Sequence, residues 1–222
     1  MEESSPALRC AGRRSEGRLR GGQPRKKERP TATTIVGIQG GPGSFNDSAI
    51  QHYLSRNPNL KWQVRHLDTT PAVFASLKAE EISYGQFAIY NSVGGFYEES
   101  LPELAKNRCT VVDSYSIRIA HALMAQPDVS FWEVDTIMSH VEVFKQCGRR
   151  LAAKFPHLKL VYGQGDLTDP ARVAQALAAG RLPPSVAALS NPLLADIHGL
   201  RILAEEMQDE SDSHSTFLLV SR

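Results

Sequence analysis

The residues able to do chemistry in this chain fall in a few short polar stretches. Ser213-His214-Ser215-Thr216-Phe217 places two hydroxyls and an imidazole just before the apolar run Leu218-Leu219-Val220. Residues at strand ends line the ligand crevice of open α/β sheets, although the plain alternative is a turn. Gln39-Gly40-Gly41-Pro42-Gly43-Ser44-Phe45 is a glycine-rich turn between a β-branched run and a helical pattern. Its backbone N–H groups could hold an anion or carboxylate at a helix N-terminus. The spacing fits neither GxGxxG nor GxxxxGK[ST], so nucleotide binding has no support. Tyr90-Asn91-Ser92-Val93-Gly94-Gly95 is a polar loop closing a third strand-like run. His214 and Ser215 are adjacent, so on a strand they point to opposite faces and make a poor hydrolytic dyad. There is also no GxSxG elbow.

The elements that must position these stretches read as α/β. Strands are expected at 34–38, 62–67 and 84–89, with helices after Asn46 or Asp47, either of which can cap, and from Thr70-Pro71. The segment 110–124 reads as extended and leads into a second lobe of the same grammar. Strands are expected there at 136–138, 158–162 and 186–189, with helices through Val143 to Leu151, Pro170 to Ala179, and after Asn191-Pro192. Leu200 to Ala204 leads back toward the final strand. Alternating strands and helices imply parallel sheets, and a cleft between two lobes is a favoured ligand site. The expected division is a disordered basic tail at 1–32, a first lobe of about 33–110 plus 200–222, and a second of about 111–199.

Composition limits the function classes. Hydrophobic residues make up 41% and charged residues 22%, as in ordinary globular chains. The net charge of +1 combines nine Lys or Arg against four Glu in the first 30 residues with a mildly acidic body. The tail is too poor in apolar residues to fold, and the body gives no case for nucleic-acid binding. Three scattered cysteines, Cys10, Cys109 and Cys147, fit a reducing compartment and carry no metal-site spacing. No apolar run is long enough for a membrane span, and no signal-peptide h-region is expected. A cytoplasmic location is expected, and an organelle-directing role of the tail stays open. His121 and Cys147 read as structural or core, and His140 as a helix cap or core residue.

Together these stretches resemble the prephenate dehydratase catalytic domain, over roughly Thr34 to Val220. Gly40-Gly41-Pro42-Gly43-Ser44-Phe45 is similar to the family's G-P-x-G-[ST]-[FY] pattern. Ala88-Ile89-Tyr90-Asn91-Ser92 is similar to Pro-Ile-Glu-Asn-Ser, with Tyr90 in place of Glu. Ile119-Ala120-His121-Ala122-Leu123, Met138-Ser139-His140-Val141 with Gln146-Cys147, and His198-Gly199-Leu200 match further pieces. The signature Asn-x-Thr-Arg-Phe falls on Ser213-His214-Ser215-Thr216-Phe217, where the hydroxyl is kept and the Arg is lost. Gly165-Asp166-Leu167-Thr168-Asp169 matches the family's Ser-Thr-Ser-Ala-Ala stretch poorly. No regulatory domain is expected after Phe217.

The resemblance implies two periplasmic-binding-protein-like lobes (type II) and conversion of prephenate to phenylpyruvate in L-phenylalanine biosynthesis. Loss of CO2 supplies the electrons that aromatise the ring, so a donor must assist the departing hydroxyl; no cofactor or metal is called for. Ser215, Asn91 and Ser139 are then the expected catalytic residues, with Ser215 donating a hydrogen bond in a general-acid role. Gly43, Ser44, Ser92, Gln146 and Thr216 are expected to bind substrate. Thr cannot reproduce an Arg fork on a carboxylate, so Arg118 or Lys145 is expected to replace that cation. The resemblance admits a homodimer, and names no nucleic-acid or membrane partner. The altered signature keeps two alternatives open: a non-aromatising prephenate decarboxylase of a natural-product pathway, and a catalytically silent binder of small carboxylates.

Overall fold

The computed structural model describes residues 33–222; the basic tail expected at 1–32 lies outside the described residues. Two mixed sheets make up the architecture. The first combines β1 (Ile35–Ile38), β2 (Gln63–His66), β3 (Tyr84–Asn91), β5 (Thr110–Arg118) and β11 (His214–Ser221), in the order β2-β1-β3-β11-β5, with the short β4 (Gly95–Phe96) paired to β3. The second combines β6 (Ala122–Ala125), β7 (Thr136–Ser139), β8 (Lys159–Tyr162), β9 (Val186–Ser190) and β10 (Arg201–Ala204), in the order β10-β6-β9-β7-β8. In each sheet three strands run parallel, a fourth inserts antiparallel beside them, and a fifth closes the edge. Both lobes thus repeat one plan, which is the two-lobed α/β fold expected.

Two lobe assignments from the sequence are corrected by these pairings. Residues 110–118 form β5 of the first sheet, antiparallel to β11 on its outer side. Residues 201–204 form β10 of the second sheet, antiparallel to β6. The chain therefore passes between lobes at 119–121 and again at 205–213. These two crossings are tied together: the Ile119 N–H donates to the Ser213 carbonyl (2.7 Å) and the Met207 N–H to the His121 carbonyl (2.8 Å).

Helices cover the sheets where period-two strands bury both faces. In the second lobe Leu123 and Ile137 pack with Val143, Phe144 and Cys147 of α4 (Val141–Lys154). Met124, one step along from Leu123, and Ala188, between Ala187 and Leu189 of that first cluster, pack on the other face with Val173 and Leu177 of α5 (Pro170–Ala178) and Leu194 of α6 (Leu193–His198). In the first lobe Ile50 of α1 (Phe45–Arg56) meets Val36, Ile38 and Leu219. Val73, Phe74 and Leu77 of α2 (Thr70–Lys78) meet Phe87, Ile89 and Val220. Each such fully buried side chain contributes about 1.5–3 kcal/mol relative to exposure. A short α3 (Ser100–Lys106) follows β4. Among the described residues no helix is long and apolar enough to cross a membrane.

Candidate functional site

The last strand organises the site. β11 lies between β3 and β5, with Ser215 opposite Asn91 on one side and Ile117 on the other. From Ser213, just before β11, the side chains alternate: Ser213, Ser215 and Phe217 are buried, while His214 and Thr216 are half-buried on the opposite face. Asn91 is 1% exposed. Its Oδ1 accepts the Val93 and Gly94 N–H groups (2.9 and 2.8 Å), which fixes the amide orientation. Its Nδ2 then donates to Ser215 Oγ (3.0 Å) and the His214 carbonyl (3.1 Å). The same Asn-centred turn, with Gly95 at φ +82°, folds β4 back along β3. That reversal seats Tyr97, whose N–H donates to the Ile89 carbonyl (3.0 Å). The Tyr97 hydroxyl reaches Ser215 Oγ at 3.1 Å.

Beside this cluster is a cavity of about 770 Å³ lined from both lobes, including Tyr97 and Phe217 from the first and His121, Gln146 and Ser190 from the second. Gln146, buried on α4, hydrogen bonds through Oε1 to His121 Nε2 (3.0 Å). Burial pushes the His121 imidazole down to about 4, opposed by the Gln146 contact. It is neutral at pH 7, and with Nε2 facing an amide oxygen its Nδ1 is a lone-pair acceptor. Burial raises the Tyr97 phenol above its ordinary value, opposed by hydrogen bonding to Ser215 and Gln146. The phenol therefore stays protonated at neutral pH.

Of the residues singled out from sequence, Ser44 and Gln146 line the cavity, and Ser215 and Asn91 lie directly behind Tyr97. Four others are placed elsewhere. Thr216 points to the opposite face of the sheet, where its hydroxyl meets Ser116 Oγ (2.9 Å), so it is no substrate ligand. Ser139 is fully buried and donates to the Leu189 carbonyl (2.6 Å), bracing β7 against β9. Ser92 Oγ accepts the His214 N–H (3.0 Å) and staples the start of β11. The Gly43 N–H donates to Asp47 Oδ2 (2.9 Å), which leaves that amide no capacity for a ligand.

The glycine turn is an anion cradle already filled by the protein's own carboxylates. The Gly41 N–H donates across the lobes to Asp169 Oδ2 (2.8 Å), and Asp169 also caps α5 through Ala171 N–H (2.9 Å). Asn191 adds a second inter-lobe tie, donating to the Gly43 carbonyl (3.0 Å) and Ser48 Oγ (2.9 Å). The cap of α1 is Ser44, not Asn46 or Asp47; its Oγ accepts the Asp47 N–H (3.2 Å). His140 caps α4, its Nδ1 accepting the Glu142 N–H (3.2 Å), and Cys147 is core.

The cavity wall is rich in carboxylates: Asp68, Glu98, Glu99, Glu142, Asp166 and Asp169, against the guanidinium of Arg172. Arg172 itself pairs with Asp68 (3.4 Å). Neither cation expected to replace the lost signature Arg does so freely. Arg118 is exposed, pairs with Glu206 and donates to the Ser211 carbonyl (3.1 Å), away from the cavity lining. Lys145 bridges Glu98 and Glu142, both at 2.9 Å, and these partners push its ammonium up to about 12.

The profile described as prephenate dehydratase (PDT) matches residues 36–222. Among curated relatives, arogenate dehydratase 1 of Petunia hybrida is 26% identical over 191 residues, covering 86% of this chain and 43% of its own length. Arogenate dehydratase/prephenate dehydratase 1 of Arabidopsis thaliana, a chloroplastic protein, is 26% identical over 188 residues, 84% of this chain and 45% of its own. The bifunctional chorismate mutase/prephenate dehydratase of Escherichia coli is 22% identical and covers 84% and 47%. The chain thus spans about half the length of the curated relatives it matches. In fold it is similar to the prephenate dehydratase of Arthrobacter aurescens crystallised with L-Phe, at a TM-score of 0.73, 24% identity, and coverage of 85% of this chain and 60% of that one. With the profile spanning nearly all of the described residues, the chain belongs to the prephenate dehydratase family.

Proposed function

We propose that the protein is a dehydratase, a carbon–oxygen lyase that converts prephenate to phenylpyruvate with loss of water and CO2 on the route to L-phenylalanine. One observation carries this reading beyond family membership: a hydrogen-bonded series Asn91, Ser215, Tyr97 stands at the wall of a two-lobe cavity. The reaction needs a donor at the departing ring hydroxyl, and a positioned donor typically contributes about 10²–10⁴ in rate. Ser215 and Asn91 belong to that donor system, and Gln146 and Ser44 to the wall that orients the ring. The site takes a small molecule; we place the activity in the cytoplasm and allow a homodimer.

The carboxylate-rich wall favours a second substrate reading. Arogenate carries an ammonium where the prephenate side chain carries a ketone, and an ammonium is stabilised beside carboxylates that repel a dianion. Two of the relatives are named arogenate dehydratases, and the same chemistry would then release phenylalanine. The test is to incubate purified protein with each substrate at neutral pH, beside enzyme-free controls, because prephenate aromatises unaided in mild acid. Phenylpyruvate or phenylalanine above the control supports the dehydratase, and the ratio of kcat/KM values ranks the substrates. A dihydro product that keeps its hydroxyl would replace it with a decarboxylase. Binding without turnover would leave a silent receptor.

A further inference from the structure

We infer that the hydroxyl which protonates the departing oxygen is the phenol of Tyr97, and that the signature hydroxyl of Ser215 acts through it. This rests on the dehydratase reading above and names the group that performs its central step.

The first observation is placement. Ser215 is 1% exposed and does not line the cavity, whereas Tyr97 does. The hydroxyl at the signature position is covered from the ligand side by its neighbour. The second is the direction of the hydrogen bonds. Asn91 Oδ1 takes two backbone N–H groups, so Nδ2 must donate to Ser215 Oγ. Ser215 Oγ thus has one of its two acceptor lone pairs engaged and keeps a proton to give; Tyr97 Oη lies 3.1 Å away, within reach for either hydroxyl to donate to the other. Donation from Ser215 to Tyr97 turns the phenolic proton outward. Amide, hydroxyl and phenol then form one polarised series in which each bond strengthens the next donor. The third is the opposite wall: Gln146, held by the neutral His121, flanks the phenol from the second lobe. A ring held in this cavity meets a donor supported from both sides.

The step balances without another reagent. The bond from ring carbon to carboxylate breaks and releases CO2, its electron pair enters the ring, and the carbon–oxygen bond to the ring hydroxyl breaks. The proton of Tyr97 goes to that oxygen, which leaves as water. The tyrosinate regains a proton from solvent once the products depart.

The test compares Tyr97→Phe with Ser215→Ala in the full chain, using whichever of prephenate or arogenate the wild type turns over. Tyr97→Phe is expected to lower kcat about 10²–10⁴-fold while leaving KM within about threefold. Ser215→Ala, which removes one supporting bond, is expected to cost about tenfold. The third arm places difluorotyrosine at position 97, which makes the phenol more acidic with little change in shape. The basic limb of the kcat profile should move to lower pH; a merely structural tyrosine would not move it. Should Tyr97→Phe fail to fold, this arm alone decides. If the wild type dehydrates neither substrate, the dehydratase reading falls and takes this assignment with it. If the wild type is active but Tyr97→Phe keeps kcat within about threefold, Ser215→Ala is the more damaging change, or the fluorinated enzyme keeps its pH profile, the assignment alone is overturned.

Discussion

Removing Asn91 is the most direct test of how the site is held together. Asn91→Ala deletes four hydrogen bonds of 3.1 Å or less, Val93 and Gly94 N–H to Oδ1 at 2.9 and 2.8 Å and Nδ2 to Ser215 Oγ and the His214 carbonyl at 3.0 and 3.1 Å, with a longer fifth from Nδ2 to Ser213 Oγ at 3.3 Å. Val93 and Gly94 are half-buried, so water can take over part of those two, at about 0.5 kcal/mol each. Ser215 Oγ is buried and keeps only its contact with Tyr97 Oη, so the two Nδ2 bonds are set at about 1 kcal/mol each. The sum is about 3 kcal/mol, which in a chain of this size lowers Tm by roughly 6–12 °C. Urea unfolding of wild type, Asn91→Ala, Ser215→Ala and the double variant reads both the loss and the coupling. The double variant should be less damaged than the sum of the singles by about 1 kcal/mol, the shared bond being lost only once. A fall in Tm below 2 °C, or additivity within about 0.3 kcal/mol, would refute the arrangement in which Asn91 organises both the turn and the hydroxyl.

Three further outcomes follow from the same geometry. Gly43→Ala puts a Cβ at φ +78°, 2.6 Å from Leu194 Cδ2 and 2.8 Å from Ile197 Cδ1; a loss of about 1–3 kcal/mol is expected in thermal unfolding. His121, held near 4 when folded, should show no imidazole titration above pH 5 by NMR. The unfolded chain protonates it near 6.5, so between those values the unfolded state binds more protons and His121 makes stability rise with pH; His121→Leu should flatten that rise. Asp169 has the opposite sign. Burial raises its carboxyl against hydrogen bonds from Ala171 and Gly41, so the native state binds the proton more tightly and this contribution to stability falls as pH rises through the carboxylate range. Asp169→Asn should remove that slope in denaturation midpoints measured from pH 3 to 7.

Much of the fold was legible because strand and helix periods differ. Val36, Ile38, Phe87, Ala187 and Leu189 announce buried strands, and Thr70-Pro71 and Asp169-Pro170 announce helix starts. The lobe boundary was not legible, since an extended run such as 110–118 carries no mark of which sheet supplies its partner. Helix α3 escaped because it is seven residues long and contains Pro102. Within the site, Ser215 and Asn91 stood out through sequence patterns although 124 residues separate them. Thr216 belongs to the face opposite Ser215, as strand alternation requires: the period that separates His214 from Ser215 separates Ser215 from Thr216 as well. Tyr97 gave no signal, because its position depends on the turn at Asn91 and on no local pattern. The filled cradle was equally hidden, since Gly41 and Asp169 are 128 residues apart.

The insertion of β11 between β3 and β5 sets an order of events during synthesis. The second lobe is built from one continuous stretch, 122–204, and has all its strands once Ala204 has been made. The first sheet has a gap at its centre until residues 214–221 exist, because β3 and β5 have no pairing with each other. Nascent chains halted between these points should hold a protease-resistant second lobe beside an open first one. The two unpaired edges that flank the gap are then the natural landing place for a chaperone or for the same strand of another nascent copy.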